Sequence, residues 1–349
     1  MDNVLQNGGR CKQLQKNATL DSIDARMLKM LLTESRTSFT EIAKECKIST
    51  GAARMRYNHL KKVGVINGEI MQVNPYSLGY KCVGNIGINT SAEKEREVRE
   101  FLKEKSNPNI LLNSWGKYNL GIIISEKNIE EWAKELHHLE SNPDIKLVDP
   151  LIWTEPTGMD HPENLEIKPD ESKQQENKTV QRNPATYNNE QTKIDETDRR
   201  IAEILVHSSR TSFRKIAEQL KISTKKVIQR YKKLKGNVLT LSTITLDLKK
   251  LGYNAKVDIF LKGERNKMAE IRRRILQMPN VIVFIGLIGS YDLLAIVALR
   301  DFDALINLEK EIRAIRGIEQ IDFFVSEIFQ AWPLSVYASL VQKGVLKNY

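Results

Sequence analysis

The side chains with most to say about chemistry are cations. The thirteen residues from Ser223 to Lys235 (STKKVIQRYKKLK) hold six lysines and arginines and no acid. A related stretch, Ser49 to Lys62, carries Arg54, Arg56, Lys61 and Lys62 among small and polar residues. Cations at this density suit a polyanion, because phosphate backbones are bound by lysine and arginine with release of counterions. Small or polar residues early in a helix suit base edges in a major groove, with cations flanking the phosphates. The candidate DNA contacts are therefore Ser49, Thr50, Gly51, Arg54, Arg56, Asn58 and Lys61 in the first stretch. In the second they are Ser223, Thr224, Lys225, Lys226, Gln229, Arg230, Lys232 and Lys233. On charge alone, an ordinary solvated helix face is the alternative.

Other chemistry is thinly represented. Cys11, Cys46 and Cys82 lie far apart, without metal or disulfide spacing. A reduced, cytoplasmic protein without metal or cofactor is expected. The five histidines are His59, His137, His138, His161 and His207, and the His137-His138 pair reads as a surface feature of an amphipathic helix. No glycine-rich phosphate loop and no nucleophile with a nearby base is visible, so the reading is not an enzyme. The longest apolar run, Val281 to Ile288, is far short of the ~20 residues of a membrane span. The polar start, MDNVLQNGGRCKQLQKN, lacks the apolar core of a secretory signal.

The elements that position the cations come in two copies. Shifting the 349-residue chain by 174 positions aligns residues 20–60 with 194–234 at 18 identities in 41, including SRTSF, KIST and RY. The match continues through LGY at 78–80 and 251–253. This is a tandem duplication of a two-domain unit. The +10 net charge is localised accordingly: residues 20–66 carry +4 and 194–240 carry +7, whereas 67–157 carry −4.

Each copy opens with three helical patterns. Asp21 reads as an N-cap before Ile23, Met27, Met30 and Leu31; Ser38 caps a short second helix and Ser49 a third. Ala53, Tyr57 and Leu60 give that third helix one buried face, and Val227, Tyr231 and Leu234 do so behind Ser223. Phe39 and Phe213, after the same Arg-Thr-Ser, are expected to plug the space between second and third helices. A short helix, a tight turn and a basic helix make a helix-turn-helix. Past Val65 and Val238 the period changes, and strands alternate with helices in the order βαββαβ. The fold class expected is α+β: two copies of a winged helix-turn-helix followed by a βαββαβ, ferredoxin-like sheet domain. The open, apolar face of each sheet should pair with another copy. Domain boundaries fall at 1–18 (flexible tail), 19–67, 68–157, 158–193 (flexible linker), 194–240, 241–332 and 333–349 (C-terminal tail). The linker is rich in Asn, Gln, Glu, Lys and Pro and nearly lacks large apolar residues. As a coil it would reach roughly 30–36 Å, enough to let the two sheets pair within one chain.

The order of these motifs resembles the Lrp/AsnC (feast/famine) transcriptional regulators. The matching features are the Asp-x-x-Asp opening of the first helix, Arg-Thr-Ser-Phe-x-x-Ile-Ala, the Ile-Ser start and Arg-Tyr-x-x-Leu end of the third helix, Leu-Gly-Tyr, and a Gly-x-Tyr-Asp turn. The resemblance implies double-stranded DNA as partner, an amino acid or other small effector, and self-association through the sheet domains. It places effector contacts at Gly289, Tyr291 and Asp292, and at Gly116, Tyr118 and Asn119 in the first copy. Asp292 would pair with an effector ammonium group, and Asn119 lacks that carboxylate; alternatively both residues only shape a β-turn. Siroheme decarboxylases also resemble this family and act on a tetrapyrrole through a histidine and tyrosine near the turn. Here all five histidines lie outside that segment. An architectural DNA-binding protein without an effector is a third reading.

Overall fold

The computed structural model describes residues 18–106, 108–113, 117–169 and 191–343. The first copy runs α1 (Ser22–Thr33), α2 (Phe39–Cys46), α3 (Thr50–Lys62), β1 (Ile66–Val73), β2 (Cys82–Thr90), α4 (Glu95–Lys105), β3 (Ile110–Asn113), β4 (Leu120–Glu126), α5 (Ile129–Glu140) and β5 (Ile145–Trp153). The second repeats it as α6 (Glu196–His207), α7 (Phe213–Leu220), α8 (Thr224–Leu234), β6 (Leu239–Leu246), β7 (Ala255–Gly263), α9 (Met268–Leu276), β8 (Val281–Ile288), β9 (Leu293–Leu299), α10 (Phe302–Arg313) and β10 (Ile318–Glu327). A last helix, α11 (Ala338–Lys343), follows.

Local chemistry fixes the helix boundaries. Asp21 and Asp195 each cap their helix in a reciprocal box with the aspartate three residues on. Serines 38, 49, 212 and 223 cap α2, α3, α7 and α8 through their hydroxyls. Lys47 and Lys221 adopt the left-handed conformation, at φ 55° and 54°, and make the sharp turns into α3 and α8.

The strand after each recognition helix pairs with its counterpart in the other copy. β1 and β6 form an antiparallel two-stranded ribbon, with Ile66 opposite Leu246 and Val73 opposite Leu239. The other eight strands form one sheet in the order β10-β7-β9-β8-β5-β2-β4-β3. Each half keeps the split βαβ order, and the halves join where Ile152 and Trp153 of β5 pair with Ile288 and Leu287 of β8. Alternation along the strands sorts the core into three. Val257, Ile259 and Leu261 pack under α9 and α10. Ile86 and Ile88 pack under α4 and α5 with Trp132. The opposite faces meet each other: Tyr118 stacks on Phe324 at 5.5 Å and lies edge-on to Phe260 at 6.4 Å. This third core is continuous with the helix-turn-helix interior. The sheets thus pair within one chain, joined at an edge as well as face to face.

Two boundaries differ from the sequence expectation. The start of the 158–193 stretch is part of the core, with Met159, Leu165 and Ile167 buried. Lys29 of α1 donates to the carbonyls of Glu163 and Leu165, and Asn164 donates to those of Leu276 and Val281. Averaged over 36 residues, those apolar side chains were diluted by the polar remainder, of which 170–190 lie outside the described residues. The C-terminal stretch is likewise packed as far as residue 341: Val336, Tyr337, Leu340 and Val341 are buried and α11 rests on α6. The N-terminal tail expected over 1–18 falls almost wholly outside the described residues.

Candidate nucleic-acid interface and the turns at the sheet seam

The recognition helices α3 and α8 bury the faces expected of them: Ala53, Tyr57 and Leu60 in one, Val227, Tyr231 and Leu234 in the other. Ser49, Thr50, Gly51, Arg54 and Asn58 are exposed on α3, and Ser223, Thr224, Lys225, Lys226, Gln229 and Lys232 on α8 or at its cap. The remaining candidates are tied within the protein. Arg56 pairs with Asp21 at 2.7 Å and Asp24 at 2.9 Å. Arg230 does the same with Asp195 at 2.6 Å and Asp198 at 2.7 Å. Lys233 reaches Asp198 at 2.6 Å, and Lys61 reaches Glu69 at 2.8 Å. Burial raises the Asp198 carboxyl, but hydrogen bonds from Lys233 and Arg230 outweigh burial and hold it below its usual value. Arg56 and Arg230 therefore brace the recognition helix against the first helix of its module. One exposed residue had not been singled out: Met55 of α3 is 67% exposed, where the second copy has Gln229.

The two modules are locked to one another by an exchange of arginines. Arg36 donates to the carbonyls of Ser209 and Thr211, and Arg210 donates to those of Ser35 and Thr37. Each guanidinium lies over the other copy's aromatic pair. Arg36 is 4.4 Å from the Phe213 ring and 5.5 Å from Tyr231; Arg210 is 4.8 Å from Phe39 and 5.2 Å from Tyr57. Phe39 and Phe213 are consequently half-buried packing surfaces against their tyrosines and the opposite arginine, rather than enclosed plugs. The buried Ser35 hydroxyl bonds Ser209 at 2.6 Å and Ser242 at 2.5 Å on the pseudo-two-fold. Two exposed basic helices are thus held in fixed relation.

The turns expected to bind an effector lie at the sheet seam. Gly116 is outside the described residues. Tyr118 and Tyr291 are buried; Tyr118 donates to Asp149, and Tyr291 to Asp322 at 2.8 Å. Asp292 accepts from the Gly263 N–H at 3.0 Å, while Asn119 accepts from the Thr90 N–H at 2.9 Å, the matching position of the first copy. Gly289 sits at φ +148° against the Pro150 carbonyl. Asp149 gathers both turns, taking Lys117 at 2.7 Å and Ser290 at 2.6 Å. Burial raises its carboxyl, yet hydrogen bonds from Lys117, Ser290 and Tyr118 outweigh burial and hold it below 3.8. A carboxyl lowered on folding contributes stability above its ordinary pKa, lost as pH falls through the lower folded value. Thermal melts followed by circular dichroism should be steady from about pH 7 to 5 and fall below about pH 4. Asp149→Asn should be less stable at neutral pH and lose part of that acid slope. An unchanged profile in this variant would remove Asp149 from the seam's energetics.

Between the open faces lies a cavity of about 100 Å³, with walls from both halves. Leu120, Ile123 and Trp153 belong to the first half; Lys256, Phe260 and Trp332 belong to the second. None of its lining residues is a histidine.

Paired helix-turn-helix modules above paired βαββαβ domains define a tandem DNA-binding regulator architecture. The sequence matches the AsnC-type helix-turn-helix domain at residues 20–61 and 194–235, and the Lrp/AsnC ligand binding domain at 254–326. It is 38% identical over 114 residues to the HTH-type transcriptional regulator LrpA of Pyrococcus horikoshii, a match spanning 33% of this chain and 81% of that one. It is 35% identical over 117 residues to the HTH-type transcriptional regulator Ptr1 of Methanocaldococcus jannaschii, spanning 34% and 79%. The siroheme decarboxylase NirDL shares the fold along 92% of this chain and 98% of its own, at a TM-score of 0.61 and 14% identity. The chain belongs to the Lrp/AsnC family, as a tandem of the family's unit.

Proposed function

We propose that the protein is a sequence-specific, DNA-binding transcriptional regulator in which one chain supplies both halves of the usual pair. The observation that carries this reading is the arginine exchange, which fixes two exposed recognition helices about a pseudo-two-fold. Rigidly paired helices fit half-sites at a set spacing along one face of a duplex. The helices differ in chemistry: α8 exposes Lys225, Lys226 and Lys232 where α3 has Gly51, Ala52 and Asn58. An asymmetric operator follows. No catalytic role is assigned, and an absorbance scan of the purified protein should show no tetrapyrrole band. The protein is read as cytoplasmic; no helix among the described residues is long and apolar enough to cross a membrane.

The test is a salt titration of DNA binding. Lys225→Ala with Lys226→Ala should flatten the slope of log K against log salt by about 1.8 and weaken binding ~30-fold near 0.15 M salt, at ~0.9 per phosphate contact. An unchanged slope excludes α8 from the interface.

A further inference from the structure

We propose that Lys47 and Lys221, at the turns between the second and third helices of the two modules, are phosphate clamps that grip the DNA backbone without reading bases. Given the DNA-binding reading, on which this assignment rests, these contacts lie outside the recognition helices themselves. Each lysine holds a left-handed backbone, at φ 55° and 54°, as the residue that closes α2 or α7. Glycine adopts that conformation freely and asparagine at little cost, whereas lysine has nothing in its side chain to offset the strain. The same costly choice stands in both copies. Strain of this kind marks a position where the side chain is put to use.

The fold itself has no use for the charge. In each Lys-Ile-Ser turn, Ile48 or Ile222 packs against the core and Ser49 or Ser223 caps the next helix. The two lysine side chains are exposed and, among the described residues, pair with no acid. In this they differ from Arg56, Lys61, Arg230 and Lys233, whose charges are spent on carboxylates of their own module. The positive end of the recognition helix begins two residues on. Lysine and helix dipole therefore present the same sign to an approaching phosphate.

Divergence between the copies separates backbone contacts from base contacts. At exposed positions of the recognition helices, Gly51, Met55 and Asn58 of α3 stand where α8 has Lys225, Gln229 and Lys232. Half-sites of different sequence call for such differences. Phosphates are alike in every half-site, and Lys47 and Lys221 are the same residue in both copies. The arginine exchange locks the modules together, so the two lysines are fixed points about the pseudo-two-fold. Each seats its helix on the duplex whatever the sequence beneath.

Glycine variants of the full chain provide the test, because fold and DNA binding should respond in opposite directions. In Lys47→Gly with Lys221→Gly the thermal midpoint should lie at or above the parent's, since the strain relieved exceeds glycine's extra freedom in the unfolded chain. Binding to a duplex that the parent selects from a random pool should weaken ~30-fold at about 0.15 M salt. The slope of log K against log salt should flatten by about 1.8, at ~0.9 per contact. Binding to an unrelated duplex should weaken by the same factor, leaving the preference for the selected sequence unchanged. Lys47→Asn with Lys221→Asn, which also suits the left-handed turn, should behave alike, and Lys47→Arg with Lys221→Arg should keep the parent's slope. Lys134→Gln, on the sheet-domain helix α5, should leave the slope as it was. An unchanged slope in the glycine variant, a loss confined to the selected duplex, a midpoint lowered in both the glycine and asparagine variants, or an equal loss in Lys134→Gln would overturn the clamps. If Lys225→Ala with Lys226→Ala flattens the slope and the glycine variant does not, the clamps fail and the regulatory reading stands. A parent that binds no duplex at any salt overturns that reading and the clamps with it.

Discussion

Replacing Arg36 and Arg210 together with alanine is expected to lower the unfolding free energy by roughly 3–5 kcal/mol. Each guanidinium makes two charge-assisted hydrogen bonds to carbonyls of the other module, and bonds of that kind are worth ~1.5–3 kcal/mol. Stacking over Phe213 or Phe39 adds ~0.5–2 kcal/mol in each case. The sum is discounted because both side chains are only half-buried. Four carbonyls also lose their partners, including that of the fully buried Ser35. Urea melts of the parent, both single variants and the double variant give the measurement. The singles should each account for about half, since they act on opposite ends of one symmetric contact. Arg→Lys at either position should recover only part of the loss: both carbonyl bonds come from one guanidinium nitrogen, which an ammonium can replace, but the planar stacking on the facing rings is lost. Costs near the ~0.5 kcal/mol of an ordinary surface change would show that the ribbon alone holds the modules together.

Gly289→Ala is expected to cost about 2–4 kcal/mol, and the reason separates two readings of the turn. At φ +148° a side chain is strained by ~1–3 kcal/mol wherever it is placed. The added Cβ would also stand 2.6 Å from the Pro150 carbonyl oxygen and 2.9 Å from a Leu151 methyl. The carbonyl belongs to β5, so relief requires the seam between halves to move, at the ~1–3 kcal/mol typical of overpacking. A turn serving only to contact an effector would carry the backbone strain alone, without the added cost of moving the seam. A shift in denaturation midpoint is therefore expected without any ligand present. A variant as stable as the parent would mean that β5 and β8 are not pressed together at this point.

The sequence made the modules legible because their signals are local. A capping aspartate, serines before α2 and α3, and apolar side chains at helical spacing are complete within a dozen residues, and each is found where its spacing places it. The strand order within each half follows from one repeated βαββαβ pattern. What escaped depends on distant partners. Arg56 and Arg230 read as DNA contacts because a cation on a basic helix has no visible acid, yet the aspartates that hold them lie 35 residues earlier. Arg36 and Arg210 stand in the repeated Arg-Thr-Ser-Phe and look like surface charge until the second module is set beside the first. The first residues of the 158–193 stretch were hidden by averaging, since burial of Met159 and Leu165 is decided by β8 and α1 and not by their neighbours. The duplication bears on these arginines as well as on the sheets: a feature kept in both copies has two chances to touch its own image.

The ribbon of β1 and β6 changes how occupancy of an operator scales with the amount of protein. A regulator assembled from separate subunits must first associate, so at low abundance its active form falls with the square of concentration. A covalently joined pair meets its partner at an effective concentration of order millimolar, whatever the number of molecules in the cell. Occupancy is then first order in protein, down to a few copies. Each recognition helix is also encoded once. A substitution in α3 alters one half-site and leaves the other as it was, and the two halves of the operator are free to change independently.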